Sequence, residues 1–307
     1  MNDPAFSIVI PTFNRPDRLL RCIATLDSLD YPRERFEVIV VDDGSPEPVQ
    51  PLLHDLRVRF AIKCHSVKHG GPAAARNIGA AHAAGRFLAF LDDDCAPVPS
   101  WLARMEMHFR TDPSALVAGR VLNGLHANIY SEASQRLISY LMGYFNADSA
   151  TARFVTANNM GVGREAFLRV GGFNARFRGA GGEDREFGDR WQQLGFKLAY
   201  CPDVEVVHYH HLTLRQFFRQ HLHYGRGAAT YHELRSDRRA SHIRIEPFKF
   251  YRDLVLYPFT VRNSKRRLAI ATLMILSQLA NAAGFLYETL VEACQRLRNN
   301  ANAQEPR

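Results

Sequence analysis

Residues 87–94 read Phe87-Leu88-Ala89-Phe90-Leu91-Asp92-Asp93-Asp94, an apolar run that ends in three adjacent carboxylates. The run follows Gly85 and has the length and composition of a buried strand. In open α/β sheets, ligands bind at the carboxyl ends of the strands, where these acids would lie. Adjacent carboxylates repel one another unless a cation holds them, and a divalent metal is the simplest such cation. Taken alone, the triplet is equally compatible with a solvated acidic turn.

Short β-rich runs and helical patterns alternate along the chain up to this triplet. Strands are predicted at 7–10, 37–41, 59–63 and 87–91, and helices at 17–29 and 72–84. Such alternation predicts a parallel sheet covered by helices, which is the doubly wound α/β class. The strand at 37–41 also ends in acids, at Asp42 and Asp43. The sequence therefore predicts two acidic strand ends.

Two further segments have features that suit a nucleotide. A tight turn is the ordinary role of Asp42-Asp43-Gly44-Ser45, but a carboxylate after a strand can also accept hydrogen bonds from a uracil or guanine edge. Glycines, a proline and small residues at 70–79 begin a helix that carries Arg76 one turn inside. Small residues permit the close approach of a ligand, and the arginine can reach a phosphate.

Four short motifs follow one another in the first third of the chain. They are Ser-Ile-Val-Ile-Pro-Thr-Phe-Asn-Arg at 7–15, Val-Asp-Asp-Gly-Ser at 41–45, Ala-Arg-Asn-Ile-Gly at 75–79 and Phe-Leu-Asp-Asp-Asp at 90–94. This series resembles the family 2 glycosyltransferases. The resemblance implies a GT-A fold, in which a nucleotide-diphosphate sugar lies across the strand ends. The residues that it places on the donor side are Pro11, Thr12, Asn14, Asp43 at the base, Arg76, Asp92 near the ribose, and Asp93 in the variable middle position of the Asp-Xaa-Asp motif.

The same resemblance extends to the second half of the chain. Asn158 and Asn159 lie in a segment that matches the acceptor side of the family, and Gly181-Gly182 precedes the pair Glu183-Asp184. An acid in the first turn of a helix is stabilised by the helix N-terminus, which is the ordinary role of such a pair. The resemblance implies a sharper one, with Asp184 as the base that deprotonates the acceptor hydroxyl and Glu183 as its support.

A histidine-rich strand end lies at 204–211. Period-two geometry places His208 and His210 on one face of the strand. Packed or solvated histidines are the common outcome, and zinc would need further ligands at a convincing spacing. The resemblance implies that His208 joins Asp94 and Asp92 as a third metal ligand. A mixed set of oxygen and imidazole ligands suits Mn²⁺ or Mg²⁺.

Composition limits the partners and the compartment. The chain of 307 residues carries a formal net charge of +8 and has a pI near 9.4, which suits a nucleotide diphosphate, an anionic membrane surface or a nucleic acid. Only the charge supports a nucleic acid, so that partner is the least favoured. The five cysteines show no paired spacing and no secretory signal is visible, so we expect a cytoplasmic protein.

The C-terminal part contains a long apolar segment at 268–290, which has the length needed to span a bilayer. Four polar or small residues recur at helical spacing along it: Ser277, Asn281, Gly284 and Glu288. This stripe favours a helix that lies in the cytosolic membrane interface, at the inner face of the cell membrane, or packs on the catalytic domain. The expected domains are 1–212 (nucleotide-sugar half 1–100, acceptor half 101–212) and a helical, basic and aromatic appendage at 213–307.

These features and the resemblance predict a metal-dependent glycosyltransferase that acts on a saccharide or lipid-linked acceptor, and the resemblance implies that it is inverting and works by direct displacement. One alternative is a module that binds a nucleotide sugar without catalysis. Another is a sugar-phosphate nucleotidyltransferase, although such an enzyme would need a glycine-rich basic loop directly after the first strand. The G-x-G-x-x-A pattern at 161–166 resembles a dinucleotide fingerprint, but a Gly-Gly turn rather than a second parallel strand follows its helix.

Overall fold

One eight-stranded sheet organises the computed structural model, which describes residues 3–148, 152–177, 179, 181–239, 246–261 and 266–303. The strands are β1 (Phe6–Thr12), β2 (Phe36–Asp42), β3 (Ala61–Ser66), β4 (Phe87–Leu91), β5 (Cys95–Pro97), β6 (Leu116–Asn123), β7 (Asn159–Gly163) and β8 (Leu198–His208). Their order is β3-β2-β1-β4-β7-β6-β8-β5. The first four in this order are parallel to one another, as are β6 and β8. Strands β7 and β5 run antiparallel, so the predicted parallel sheet is confirmed for its first half and is mixed in its second.

Helices cover both faces of this sheet. They are α1 (Pro16–Leu26), α2 (Gln50–His54), α3 (Pro72–Ala81), α4 (Trp101–Thr111), α5 (Ile129–Phe145), α6 (Arg164–Val170), α7 (Glu183–Gln193), α8 (Leu214–Arg239), α9 (Phe248–Thr260) and α10 (Arg267–Ala303). Alternate residues of β1 enter two different cores, with Ile8 and Ile10 on one face and Val9 on the other. A strand that is buried on both faces needs a continuous apolar run, which explains why the local sequence predicted β1, β2 and β4.

Helix α3 approaches the sheet closely at a glycine. A Cβ at Gly79 would overlap the Val9 side chain, so only glycine permits this packing distance. The helix begins at Pro72, where the missing N–H costs nothing, and it follows Gly71, whose φ of 91° lies in the left-handed region. Together these residues fix Arg76 beneath the carboxyl ends of β1 and β4.

A second sheet interaction joins the acidic triplet to the histidine strand. In the antiparallel pair formed by β5 and β8, Cys95 lies opposite His208. Just beyond this pair, the N–H of Tyr209 donates to the carbonyl oxygen of Asp94 at 2.8 Å. Two segments that are distant in sequence are therefore held in register by backbone hydrogen bonds.

The C-terminal helices form a third core with α5. Its buried members include Leu137 from α5, Phe217 from α8, Leu254 from α9 and Met274 from α10. Helices α8 and α10 cross at glycines, because a Cβ at Gly284 would overlap the carbonyl oxygen of Leu222. The predicted helix at 268–290 is present, and the observed helix α10 is longer, since it runs from Arg267 to Ala303.

Candidate active site

A cavity of about 660 Å³ opens at the carboxyl ends of the strands. Its lining includes the acids Asp92, Asp94, Glu183 and Asp184 together with His208. Side chains from α5, α8, α9 and α10 complete its wall. The structure thus brings the predicted metal residues and the predicted base to one cavity, and it adds a helical wall that the sequence did not predict.

Asp94 and His208 form a direct pair at one end of this cavity. Asp94 Oδ1 lies 3.0 Å from His208 Nε2, and Asp94 Oδ2 lies 3.0 Å from Arg18 Nη1. Burial opposes ionisation of Asp94, but the charge and hydrogen bond of His208 outweigh it and hold the pKa of Asp94 well below its ordinary value. The Asp94 carboxylate is therefore charged at neutral pH.

The ligand atoms of Asp94, Cys95 and His208 lie within 4.8 Å of one another. Burial raises the pKa of the Cys95 thiol well above its ordinary value, so the thiol is protonated and is a poor ligand. A carboxylate with an imidazole fits a cation such as Mn²⁺ or Mg²⁺. Asp92 lies outside this group, but its side chain is 31% exposed at the cavity and can offer a carboxylate oxygen.

Arg76 connects the triplet to the beginning of α7. Its Nη2 lies 2.7 Å from Asp92 Oδ1, and its Nη1 lies 3.0 Å from Glu183 Oε1. Burial opposes the charge of this guanidinium, but the two carboxylates outweigh it and raise the pKa of Arg76. The sequence predicted a contact between Arg76 and a phosphate, whereas in the structure both terminal nitrogens bind carboxylates and Nε has no partner among the described residues.

Asp184 has a different environment from the neighbouring Glu183. Glu183 accepts hydrogen bonds from Arg76 and, at 2.8 Å, from the N–H of Gly181. Asp184 Oδ1 accepts a hydrogen bond from the N–H of Arg185 at 2.8 Å. Burial and the nearby charge of Glu183 raise the pKa of Asp184 to about 7. A carboxylate whose pKa is near the working pH is suited to accept a proton.

Of the predicted donor residues, Arg76 and Asp92 line the cavity, whereas five others lie outside its lining: Pro11, Thr12, Asn14, Asp43 and Asp93. Asp43 accepts hydrogen bonds from the N–H groups of Gly70 and Gly71 at 2.8 and 2.9 Å. Asp93 accepts a hydrogen bond from Thr12 Oγ1 at 2.7 Å. These carboxylates fix the loops that follow β1, β2 and β4.

Two more predicted donor residues belong to the loop after β1. Pro11 lies within β1, opposite Val41 of β2. Asn14 has a left-handed φ of 53°, and its N–H donates to Ser45 Oγ at 2.8 Å. The loops after β1 and β2 are therefore tied together at the edge where a nucleotide is expected.

The two predicted acceptor-side asparagines have different surroundings. Asn158 lines the cavity, and its buried Oδ1 has no hydrogen-bond partner among the described residues. Asn159 is fully buried. It accepts from Trp101 Nε1 and donates to the carbonyl oxygens of Arg120 and Val204, all at 2.9 Å. The prediction for Asn159 is corrected, because an amide used in this way joins strands instead of facing a substrate.

Sequence reasoning missed several residues of the cavity wall. The ring of His210 lies 5.0 Å from that of His208, as their shared strand face allows, but His210 was not among the predicted site residues. Gln220 and Tyr224 of α8 also line the cavity, and Gln220 Nε2 donates to Tyr224 Oη at 2.6 Å. No local pattern identifies the α8 residues, because tertiary packing alone brings them to the site.

Comparison with known proteins identifies the family. The model for glycosyl transferase family 2 matches residues 7–171. The chain is a family 2 glycosyltransferase. A second model, described as the N-terminal domain of galactosyltransferase, matches residues 138–213 of this glycosyltransferase. The predicted family and enzyme class are confirmed.

Its curated relatives include enzymes with different named activities. The pre-mycofactocin glycosyltransferase of Mycobacterium tuberculosis is 32% identical over 73% of this chain and 46% of its own length. The glycosyltransferase AglE of Haloferax volcanii is 27% identical over 67% of both proteins. This glycosyltransferase thus spans just under half of the mycobacterial relative.

Solved structures confirm the GT-A fold. The mannosyltransferase PcManGT from Pyrobaculum calidifontis, in complex with GDP-Man and Mn²⁺, matches with a TM-score of 0.60 at 18% identity. That match covers 97% of this glycosyltransferase and 81% of the other chain. S. aureus TarS in complex with UDP-GlcNAc matches with a TM-score of 0.51 at 15% identity, covering 95% and 91%.

Proposed function

We propose that the protein transfers a sugar from a nucleotide-diphosphate donor to a hydroxyl of a saccharide or lipid-linked acceptor, with inversion at the anomeric carbon. One observation carries the proposal. The Asp94–His208 pair and Asp184, whose pKa is raised, line the same cavity and are connected through Asp92, Arg76 and Glu183. The similar fold of the mannosyltransferase with GDP-Man and Mn²⁺ supports the donor class.

Asp94 and His208 would hold a divalent cation, Mn²⁺ or Mg²⁺, with Asp92 as a further oxygen ligand. When bound, the cation would offset the negative charge that develops on the departing diphosphate. We propose that Pro11, Thr12, Asn14 and Asp43 border the nucleotide and that Asp93 holds Thr12 in place. Asn158 offers its unpartnered oxygen to an acceptor hydroxyl.

Asp184 is the proposed base. It takes the proton of the acceptor hydroxyl while that oxygen bonds to the anomeric carbon, and the bond from that carbon to the diphosphate oxygen breaks. One direct displacement of this kind inverts the configuration and needs no covalent enzyme intermediate. Glu183 is less available, because Arg76 and the Gly181 N–H already bind its two oxygens.

Helix α10 supports a membrane origin for the acceptor. By length and composition, Arg267–Arg296 could cross a membrane, and 33% of its most apolar stretch is buried inside the protein. The polar and small stripe packs inward, since Ser277 is 1% exposed, whereas Leu279 and Leu286 on the opposite face are 62% and 63% exposed. We propose that this outward face contacts an anionic membrane surface in the cytoplasm, and that 1–212 and 213–307 act as catalytic part and appendage.

Product analysis tests the proposed reaction. The protein is incubated with GDP-mannose or UDP-GlcNAc, with a saccharide or water as the acceptor of the sugar and with Mn²⁺ or a chelator, and the released nucleotide is identified by chromatography. We expect GDP or UDP to be released only with the metal, because the leaving group is the nucleoside diphosphate. Release of a nucleoside triphosphate on addition of pyrophosphate would instead support a nucleotidyltransferase, and binding of the donor without turnover would support a non-catalytic module.

A further inference from the structure

Two arginines of the cavity wall differ from the other arginines around them. Arg153 and Arg185 both line the cavity, and neither forms an ion pair with a carboxylate of the described residues. By contrast, Arg190 and Arg238 lie 2.8 and 2.6 Å from Glu186 Oε1. None of the internal residues outside the described ranges is Asp or Glu, so none of them could offer a carboxylate to either arginine.

Aromatic rings position both guanidinium groups. The Arg153 guanidinium carbon lies 5.0 Å from the ring centre of Phe145, and that of Arg185 lies 6.0 Å from Phe154 and 5.0 Å from Tyr231. The rings of Phe145 and Phe154 are stacked on each other at 5.9 Å. Stacking holds a guanidinium through its face and leaves the N–H donors at its edge available.

A third guanidinium group, that of Arg235, lies on the same side of the cavity as Arg185, since both contact the ring of Tyr231. Burial first, and then the charges of Arg185 and Arg235, lower the pKa of His232 to about 4. Arg235 also lines the cavity, and its weak ion pair with Asp189 spans 3.7 Å. Guanidinium groups whose N–H donors bind no carboxylate of the described residues are suited to an oxyanion, because they bind carboxylates and phosphates through paired charge-assisted hydrogen bonds.

We propose that Arg185 and Arg153 form an anion subsite for the acceptor, so that the preferred acceptor is a saccharide that carries a carboxylate or a phosphate. This inference rests on the proposed transferase function. Arg185 directly follows the proposed base, and its backbone N–H donates to Asp184 Oδ1, so its position supports the acceptor rather than the donor. An anionic group held there would fix the acceptor while its hydroxyl meets Asp184.

Three sugars with the same ring test the subsite. Glucose, glucuronate and glucose 6-phosphate are titrated by calorimetry at one ionic strength, against protein saturated with GDP and Mg²⁺ so that the donor site is filled. We expect at least one anionic sugar to bind about tenfold or more tightly than glucose, because charge-assisted hydrogen bonds are about twice as strong as neutral ones. Tighter binding of glucuronate indicates a carboxylate acceptor, and tighter binding of glucose 6-phosphate a phosphorylated one.

Charge-removing variants assign this preference to the two arginines. Arg185→Gln and Arg153→Gln should each reduce it severalfold, whereas Arg185→Lys keeps the charge and should keep part of it. Arg57→Gln is the matched control, since Arg57 is an exposed arginine outside the cavity lining. Equal affinity for all three sugars, a preference that survives both glutamine variants, or anion binding that GDP abolishes would each overturn the subsite. Where GDP does not bind, UDP fills the donor site instead, and failure of both nucleotides to bind would contradict the proposed function.

Discussion

The carboxyl edge of the sheet and helix α10 differ in how they bury polar groups. At the sheet edge, buried charges are neutralised by partners, as Arg76 shows by binding Asp92 and Glu183. In α10, the polar and small stripe is buried against α8, while Leu279 and Leu286 face outward. The buried charges at the sheet edge thus find partners within the chain, whereas the exposed leucines on the outer face of α10 are suited to contact an apolar surface outside it.

Removal of Asp94 tests the sheet edge most severely. Asp94→Ala leaves one carboxylate fewer for the cation, so metal-dependent affinity for GDP or UDP should fall by about 10³-fold, as expected when several kcal/mol of metal-assisted stabilisation are lost. His208→Ala should weaken binding less. Calorimetry with and without Mn²⁺ measures both, and Asp55→Ala at an exposed position is the control. Unchanged metal dependence in Asp94→Ala would contradict the proposed metal site.

A variant of Asp184 distinguishes the chemical step from nucleotide binding at the sheet edge. Asp184→Asn keeps the size of the side chain but cannot take a proton, so transfer should fall by about 10²-fold or more while nucleotide affinity persists. Single-turnover rates and GDP binding together provide the measurement. Nearly normal transfer would move the base to another residue, with Glu183 as the first candidate.

Negative charges introduced on the outward face of α10 test its proposed contact with a membrane. The double variant Leu279→Asp and Leu286→Asp should lose about 10²-fold in affinity for anionic vesicles, because each leucine contributes about 1.5–3 kcal/mol when it is transferred from water. Leu194→Asp, at another exposed leucine, is the control. Co-sedimentation with phosphatidylglycerol vesicles measures binding, and a wild-type protein that stays in the supernatant would refute the membrane proposal.

The inner face of α10 should respond through stability. A side chain at Gly284 would meet the backbone of Leu222, so Gly284→Ala should lower the free energy of unfolding by about 1–3 kcal/mol through overpacking. Gly143→Ala in α5 is the matched control, because no atom lies within 4 Å of its Cβ position. It should be neutral or slightly stabilising, since alanine favours a helix. Equal urea midpoints for both variants would contradict the tight crossing.

The last test changes only the pH and leaves the sequence of the protein unaltered. Because the pKa of Asp184 is raised, a growing fraction of its carboxyl group is protonated as the pH falls through about 7, and the transfer rate should then drop about tenfold per pH unit. Rate profiles from pH 5 to 9 measure this limb, and it should be absent from the residual activity of Asp184→Asn. The same limb in the variant would assign the titration to another group.

Local sequence determined the first half of the sheet and the order of the motifs. Strands β1, β2 and β4 are continuous apolar runs, and such runs are recognisable because burial on both faces demands them. The family could be predicted for the same reason, since three of its four short motifs include the ends of those strands. The mixed second half was not predictable, because β6 and β7 depend on their pairing partners more than on their own patterns.

Contacts between distant segments set the environment of the site acids and the orientation of α10. The sequence indicated Asp94, His208, Glu183, Asp184 and Arg76 as site residues. It could not show that the β5–β8 pairing places His208 on Asp94, or that Arg76 occupies Glu183 and leaves Asp184 with a raised pKa. In the same way, the sequence of α10 displayed two faces, but packing on α8 chose which one is buried. The physical reason is common to both cases, because desolvation and charge pairing depend on neighbours that are distant along the chain.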